Sequence, residues 1–170
     1  MIRAPDAEMA AVRGGVALAA LDDVRVLRLC ALGPLRPLCA GELHLRLGQV
    51  QEALILDEDA RPRHDLYVCR DEDQVLVLAQ SAGAGPLAAL LPGAAELDAC
   101  VLCVMGPYAW ELLGALVGVE VYALPHHTFF TWEGWTCLRA GRTGEYSYLL
   151  VVPRAERAAA FARLRALAAE

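Results

Sequence analysis

The stretch Ala53 to Ala79, ALILDEDARPRHDLYVCRDEDQVLVLA, decides the fold. Three apolar runs, ALILD, DLYVC and QVLVLA, are separated by two acidic turns, Glu58 to Arg63 and Arg70 to Asp73. Connections this short leave no room for crossover helices, so neighbouring runs must pair antiparallel. The stretch therefore predicts a three-strand meander.

Working outward, Val24 to Cys30 is apolar and β-branched enough for a short strand, and Leu43, Leu45 and Leu47 alternate with His44 and Arg46 as in a half-buried strand. Asp6 to Leu21 reads as a helix weakened by Gly14-Gly15 at its centre, since each glycine costs roughly 1 kcal/mol against alanine. After the meander, Gly83 to Gly85 opens a short helix, PLAALL, which Pro92-Gly93 ends.

Val101, Cys103 and Met105 alternate with Cys100, Leu102 and Val104, so both faces of this run are apolar and a central strand is predicted. A helix from Tyr108 to Val117 follows, with Trp110, Leu113 and Val117 at helical spacing. Gly118 ends it before a predicted strand, VEVYAL, and an irregular aromatic segment, HHTFFTWEGWTCL. A last strand, EYSYLLVV, leads through Pro153 into a terminal helix. Its Ala160, Phe161, Leu164 and Leu167 share an arc of about 120°. Arg157 projects into that arc, its stem over the core edge and its charge in water. The expectation is a single α+β domain over residues 1–170, a mainly antiparallel sheet with helices packed on it.

Composition narrows the chemistry. The chain has 170 residues, is 57% hydrophobic and contains neither Lys nor Asn. The first absence excludes a phosphate-loop lysine and a pyridoxal Schiff base; the second excludes N-glycosylation and a Cys-His-Asn triad. A net charge of −6 argues against nucleic acid as a partner, because the average field repels polyanions. The Arg residues of the last helix, Arg154, Arg157, Arg163 and Arg165, read as a solvated helix surface. From Ala99 to Gly118 only Glu111 is charged, but Gly106-Pro107 interrupts the run, so strand, turn and helix are expected in place of a membrane span.

The six cysteines, Cys30, Cys39, Cys69, Cys100, Cys103 and Cys137, lie in apolar stretches and read as free thiols of a reducing compartment, cytoplasmic or nuclear. The N-terminus lacks the pattern of an export signal. Cys100 and Cys103 have the spacing of a redox pair or half a zinc site. Inside a strand they point to opposite faces, and His126 and His127 are adjacent rather than spaced as ligands, so no metal is expected. The acidic groups Asp57, Glu58, Asp59 and Asp71, Glu72, Asp73 lack the alternation of a calcium loop and read as solvated turns. No cofactor motif is present.

Four large rings within seven positions, Phe129, Phe130, Trp132 and Trp135, either close a core or form a partner-binding patch, and alternate residues can serve each purpose. Two longer stretches carry a family pattern: ALILDEDARPRHDLYVCRDEDQVLVLAQSAGAGPLAALL resembles the signature portion of the SUKH superfamily, and CVLCVMGPYAWELLGALVGVEVYAL is similar to the US-twenty-two branch of large DNA viruses. The resemblance implies an α+β fold and protein binding: blocking host defence in viral members, neutralising nuclease toxins in bacterial ones. It carries no catalytic residues.

The resulting expectation is a non-enzymatic, virus-encoded interaction module. It would hold a host protein on a surface bordered by Tyr67, Trp110, Tyr122, Phe129, Phe130, Trp132 and Trp135. One alternative is a bacterial immunity protein whose acidic turns occupy a toxin. Another is a structural subunit that forms a homodimer. A third, from a different class, is a small enzyme with Cys137 or Cys103 as nucleophile and His126 or His127 as base.

Overall fold

The computed structural model describes residues 6–81, 86–118, 121–141 and 146–168. The fold is α+β, with two five-stranded antiparallel sheets and a few helices. The chain divides into two compact units, Met1–Leu21 with Val101–Glu170, and Asp22–Cys100.

The Asp22–Cys100 unit holds the decisive stretch. Its sheet has the order β3-β4-β5-β2-β6, built from β2 (Val24–Leu29), β3 (Val50–Leu56), β4 (Pro62–Arg70), β5 (Val75–Ser81) and the short β6 (Ala95–Glu96). The predicted meander is β3, β4 and β5, each antiparallel to the next. Period-two alternation aligns Val68 with Val77, and Val77 with Leu27 of β2, so one face becomes a continuous apolar row. That row packs with Leu32, Leu35, Leu43, Leu45, Leu87 and Leu91 from the flanking loops. Each such leucine stabilises the unit by about 2 kcal/mol through burial.

Leu43 to Leu47 does not form the predicted strand. Leu43 and Leu45 are buried and Leu47 is exposed, but the backbone is satisfied by side chains instead of a ladder. The His44 and Arg46 N–H groups donate to Gln51 Oε1 and Gln49 Oε1, each at 2.9 Å. PLAALL is a 3-10 turn, Leu87–Leu90, after Pro86, whereas Gly83 and Gly85 lie outside the described residues.

The other unit has a sheet of order β1-β7-β10-β9-β8, from β1 (Ala17–Ala20), β7 (Ala99–Met105), β8 (Phe129–Trp132), β9 (Trp135–Leu138) and β10 (Ser147–Pro153). Its helices are α1 (Asp6–Gly14), α2 (Ala109–Val117) and α3 (Arg157–Leu167). β7 is the predicted central strand, buried from Ala99 through Val104. The long first helix predicted to Leu21 stops at Gly14; after Gly15 the chain turns into β1, which pairs with β7 from Ala17↔Met105 to Ala20↔Leu102. A ladder against a fully apolar strand outweighs the helical tendency of ALAAL.

The predicted strand VEVYAL is also corrected. Gly118 closes α2 in the left-handed conformation, φ +72°, and Val121–Ala123 coils into a 3-10 turn ahead of Pro125; residues 119–120 lie outside the described residues. The aromatic segment, read as irregular, is a hairpin. Glu133 (φ +47°) and Gly134 (φ +82°) form the two-residue turn, and Trp132 pairs with Trp135 across it. Positive φ at both central residues matches the twist of the flanking strands. Arg163 of α3 ties three elements here: Nη2 donates to Leu116 O of α2 at 3.2 Å, the guanidinium lies 5.4 Å from the Trp132 ring centre, and Nη1 stands 4.0 Å from Glu133.

Gly106 follows β7 with φ +121°, and a Cβ there would press on the Gly15 carbonyl oxygen and stand 3.3 Å from Val12 O. Backbone cannot yield as a flexible side chain can. Gly106→Ala should therefore cost about 3 kcal/mol in urea unfolding. Gly41→Ala, where an added Cβ meets nothing within 4 Å, should stay within about 0.5 kcal/mol of wild type.

Candidate functional site

Pairing of β9 with β10 sets Leu149 against Leu138 and Leu150 against Cys137, so Cys137 and Leu150 share a face with the residues two positions along each chain. Tyr146, Tyr148 and Arg139 gather there. Tyr148 has 0% exposure, and its hydroxyl has no hydrogen-bond partner among the described residues. Burial pushes its pKa up to about 12; Arg139 works against that shift, while Cys137 and Tyr146 add to it.

Arg139 is fixed from several sides. Its N–H donates to Thr128 O and its carbonyl accepts from His127 N, both at 2.9 Å. Through Nη1 it donates to Leu124 O and, at 3.5 Å, to Tyr122 O. The guanidinium also sits 4.9 Å from the Tyr146 ring centre. Tyr122 in turn meets Trp110 edge to face, ring centres 5.7 Å apart. The result is a contact chain from Trp110 through Tyr122 and Arg139 to Tyr146. Tyr122 and Tyr146 are exposed, as is Tyr108 at the start of α2. Open ring faces beside an oriented guanidinium suit a flat, electron-rich or anionic ligand.

Of the residues singled out in the sequence, Trp110 and Tyr122 meet at this face. Phe129, Phe130 and Trp132 are half-buried in β8, and Trp135 is buried in β9. Trp132 and Trp135 pack edge to face at 5.8 Å, and Trp135 Nε1 donates to Glu156 Oε2 at 2.7 Å. The segment thus packs more than it presents. Tyr67 lies in β4 of the Asp22–Cys100 unit and is buried. Sequence reasoning missed Arg139, Tyr146 and Tyr148 as a group, because only the β9–β10 register brings them together. The spacing of Tyr146 and Tyr148 was the one visible signal.

The candidate nucleophiles Cys137 and Cys103 do not fit nucleophilic catalysis. Burial pushes Cys137 up to about 12 and also raises Cys103, whose sulfur lies 3.7 Å from Ser147 Oγ. A working nucleophile needs a depressed pKa. His126 and His127 stack on each other at 4.0 Å. Six free cysteines are found, four of them buried. Among the described residues no group of three His, Cys, Asp or Glu side chains is placed to hold a metal, and no helix is long and apolar enough to cross a membrane. The first acidic turn is a backbone device: Asp57 Oδ1 accepts from the N–H groups of Asp59 and Arg61, both at 2.9 Å.

No family model matches the chain. No curated protein matches it either. Twenty-eight chains of solved structures do match. One is the glycine cleavage system aminomethyltransferase T from Bartonella henselae, with a TM-score of 0.79, 22% identity, 93% of this chain covered and 47% of that chain. The chain thus spans about half the length of that structure. This likeness overturns the expectation of a non-enzymatic, virus-encoded interaction module, because the architecture is one that an enzyme uses.

The Tyr148 and Cys137 shifts have a direction in pH. Both acids ionise later in the folded chain, at about 12, than at their ordinary values of 10.0 and 9.0. The folded state therefore holds more protons than the unfolded one between pH 9 and 12, and stability falls as pH rises through that window. Urea midpoints measured across it should decline, and Tyr148→Phe should decline less steeply. At pH 7 Tyr148→Phe should be neutral or stabilised by about 1 kcal/mol, since a buried hydroxyl without a partner is removed.

Proposed function

We propose that this chain is the ligand-binding portion of an aminomethyl-transfer system, holding a flat heteroaromatic one-carbon carrier on the Trp110–Tyr122–Arg139–Tyr146 face. The observation that carries the reading is the likeness to the aminomethyltransferase T over 93% of the chain at a TM-score of 0.79. The CH2 of an aminomethyl group is an electrophilic one-carbon unit, and ring nitrogens of a heteroaromatic carrier are nucleophiles that can accept it. Tyr122 and Tyr146 offer ring faces for stacking it. Arg139 is anchored to the backbone of the described residues through Nη1, which orients the guanidinium for an acidic tail. Tyr148 lies fully buried behind this face and packs beneath it. A reducing compartment, cytoplasmic or nuclear, suits the free thiols.

The test is a fluorescence titration with 5-formyltetrahydrofolate as the probe, read from the Trp132→Phe/Trp135→Phe chain, in which Trp110 is the remaining tryptophan. Saturable quenching at micromolar concentration is expected. Tyr122→Leu and Arg139→Gln should each weaken binding about tenfold, which is about 1.4 kcal/mol, with circular dichroism unchanged. Absence of saturation up to millimolar probe would end the reading.

A further inference from the structure

The Asp22–Cys100 unit carries a separate cleft of about 280 Å³, lined by the segment after β2 (Cys30, Ala31, Leu32, Gly33, Arg36) and the β4–β5 turn (Arg70, Asp71, Glu72, Gln74, Val75). Its charges are mixed. Arg36 and Arg70 form no ion pair with any described residue, although Asp71 and Glu72 line the same cleft. Arg70 is held in place, because Nη1 donates to Leu45 O at 2.8 Å. The turn is held as well: Asp71 N–H donates to Gln74 O and Glu72 N–H to Asp71 Oδ1, both at 2.9 Å. That leaves arginine and carboxylate side chains of opposite sign lining one small volume with no ion pair within 4.0 Å between them among the described residues.

A simple anion would gain from the arginines and be repelled by the acids, and a simple cation would meet the reverse. A ligand carrying both signs satisfies both sets. The cleft is below the usual size of drug-sized sites, and Ala31, Leu32 and Val75 add a small apolar surface to it. We propose that this cleft binds a free α-amino acid with a small side chain, its carboxylate toward Arg36 and Arg70 and its ammonium group toward Asp71 and Glu72. This site belongs to one unit alone and does not depend on the carrier proposed above. Cys30, exposed on the rim, is a built-in reporter of occupancy.

The experiment is a titration of the whole chain with alanine, acetate and methylammonium at 0.15 M salt. It is read by amide chemical shifts of Gly33 and Gln74 and by the rate at which iodoacetamide alkylates Cys30. Alanine should shift both amides saturably and slow alkylation at least fivefold, with acetate and methylammonium each binding at least tenfold more weakly. Arg36→Gln and Asp71→Asn should each weaken alanine about tenfold. Both side chains lie outside the core, and Asp71→Asn keeps the turn's acceptor oxygen, so folding should persist. Acetate binding as tightly as alanine overturns the two-sign reading, and unshifted amides at 20-fold excess over about 1 mM alanine overturn the site. Failure here leaves the folate titration untouched, because that titration reads a different unit.

Discussion

Burial of β7 on both faces is the constraint from which the unit formed by Met1–Leu21 and Val101–Glu170 is built. A strand whose alternate side chains are all apolar has to have a partner strand along each edge and cover on each side. β1 and β10 supply the edges. The next residue, Gly106, then has to turn within contact of Gly15, so the end of α1, the start of β1 and the approach to α2 are fixed at one point. Only a residue without a Cβ meets that demand. Gly106 N–H also donates to Tyr146 O at 2.8 Å, which carries the constraint to the start of β10 and the aromatic face.

Local patterning made much of this legible. The meander, the central strand, α2 and the terminal helix were all readable because each rests on spacing within one segment. What the sequence hid depended on competition between segments. ALAA joins β1 because β7 offers an unpaired edge, a fact that no window around residues 17–20 contains. Leu43 to Leu47 alternates like a strand, yet Gln49 and Gln51 satisfy its backbone before any ladder does. The hairpin turn at Glu133-Gly134 was present in the sequence but lacked the Asn-Gly or Asp-Gly pair that announces such turns.

The candidate site was partly legible for a related reason. Trp110 and Tyr122 stood out as large rings, and the structure joins them. Arg139, Tyr146 and Tyr148 are ordinary residues individually; their value arises from the β9–β10 register. In the most conspicuous feature, the Phe129 to Trp135 cluster, Trp135 bonds Glu156 and Trp132 lies against Arg163, while Phe129 and Phe130 are half-buried. Aromatic density in a sequence measures how much area needs burying, and only the fold says whether it is buried by the chain itself.

Arg163 has a consequence for how this unit comes apart. One side chain contacts the last turn of α2, the Trp132 ring and, weakly, Glu133 at the hairpin tip, while Trp135 of the same hairpin is hydrogen-bonded to Glu156 just before α3. Fraying of the terminal helix therefore strips support from the hairpin and from α2 at the same moment. The three segments share these contacts, so the C-terminal helix acts as the latch of the aromatic half of the fold.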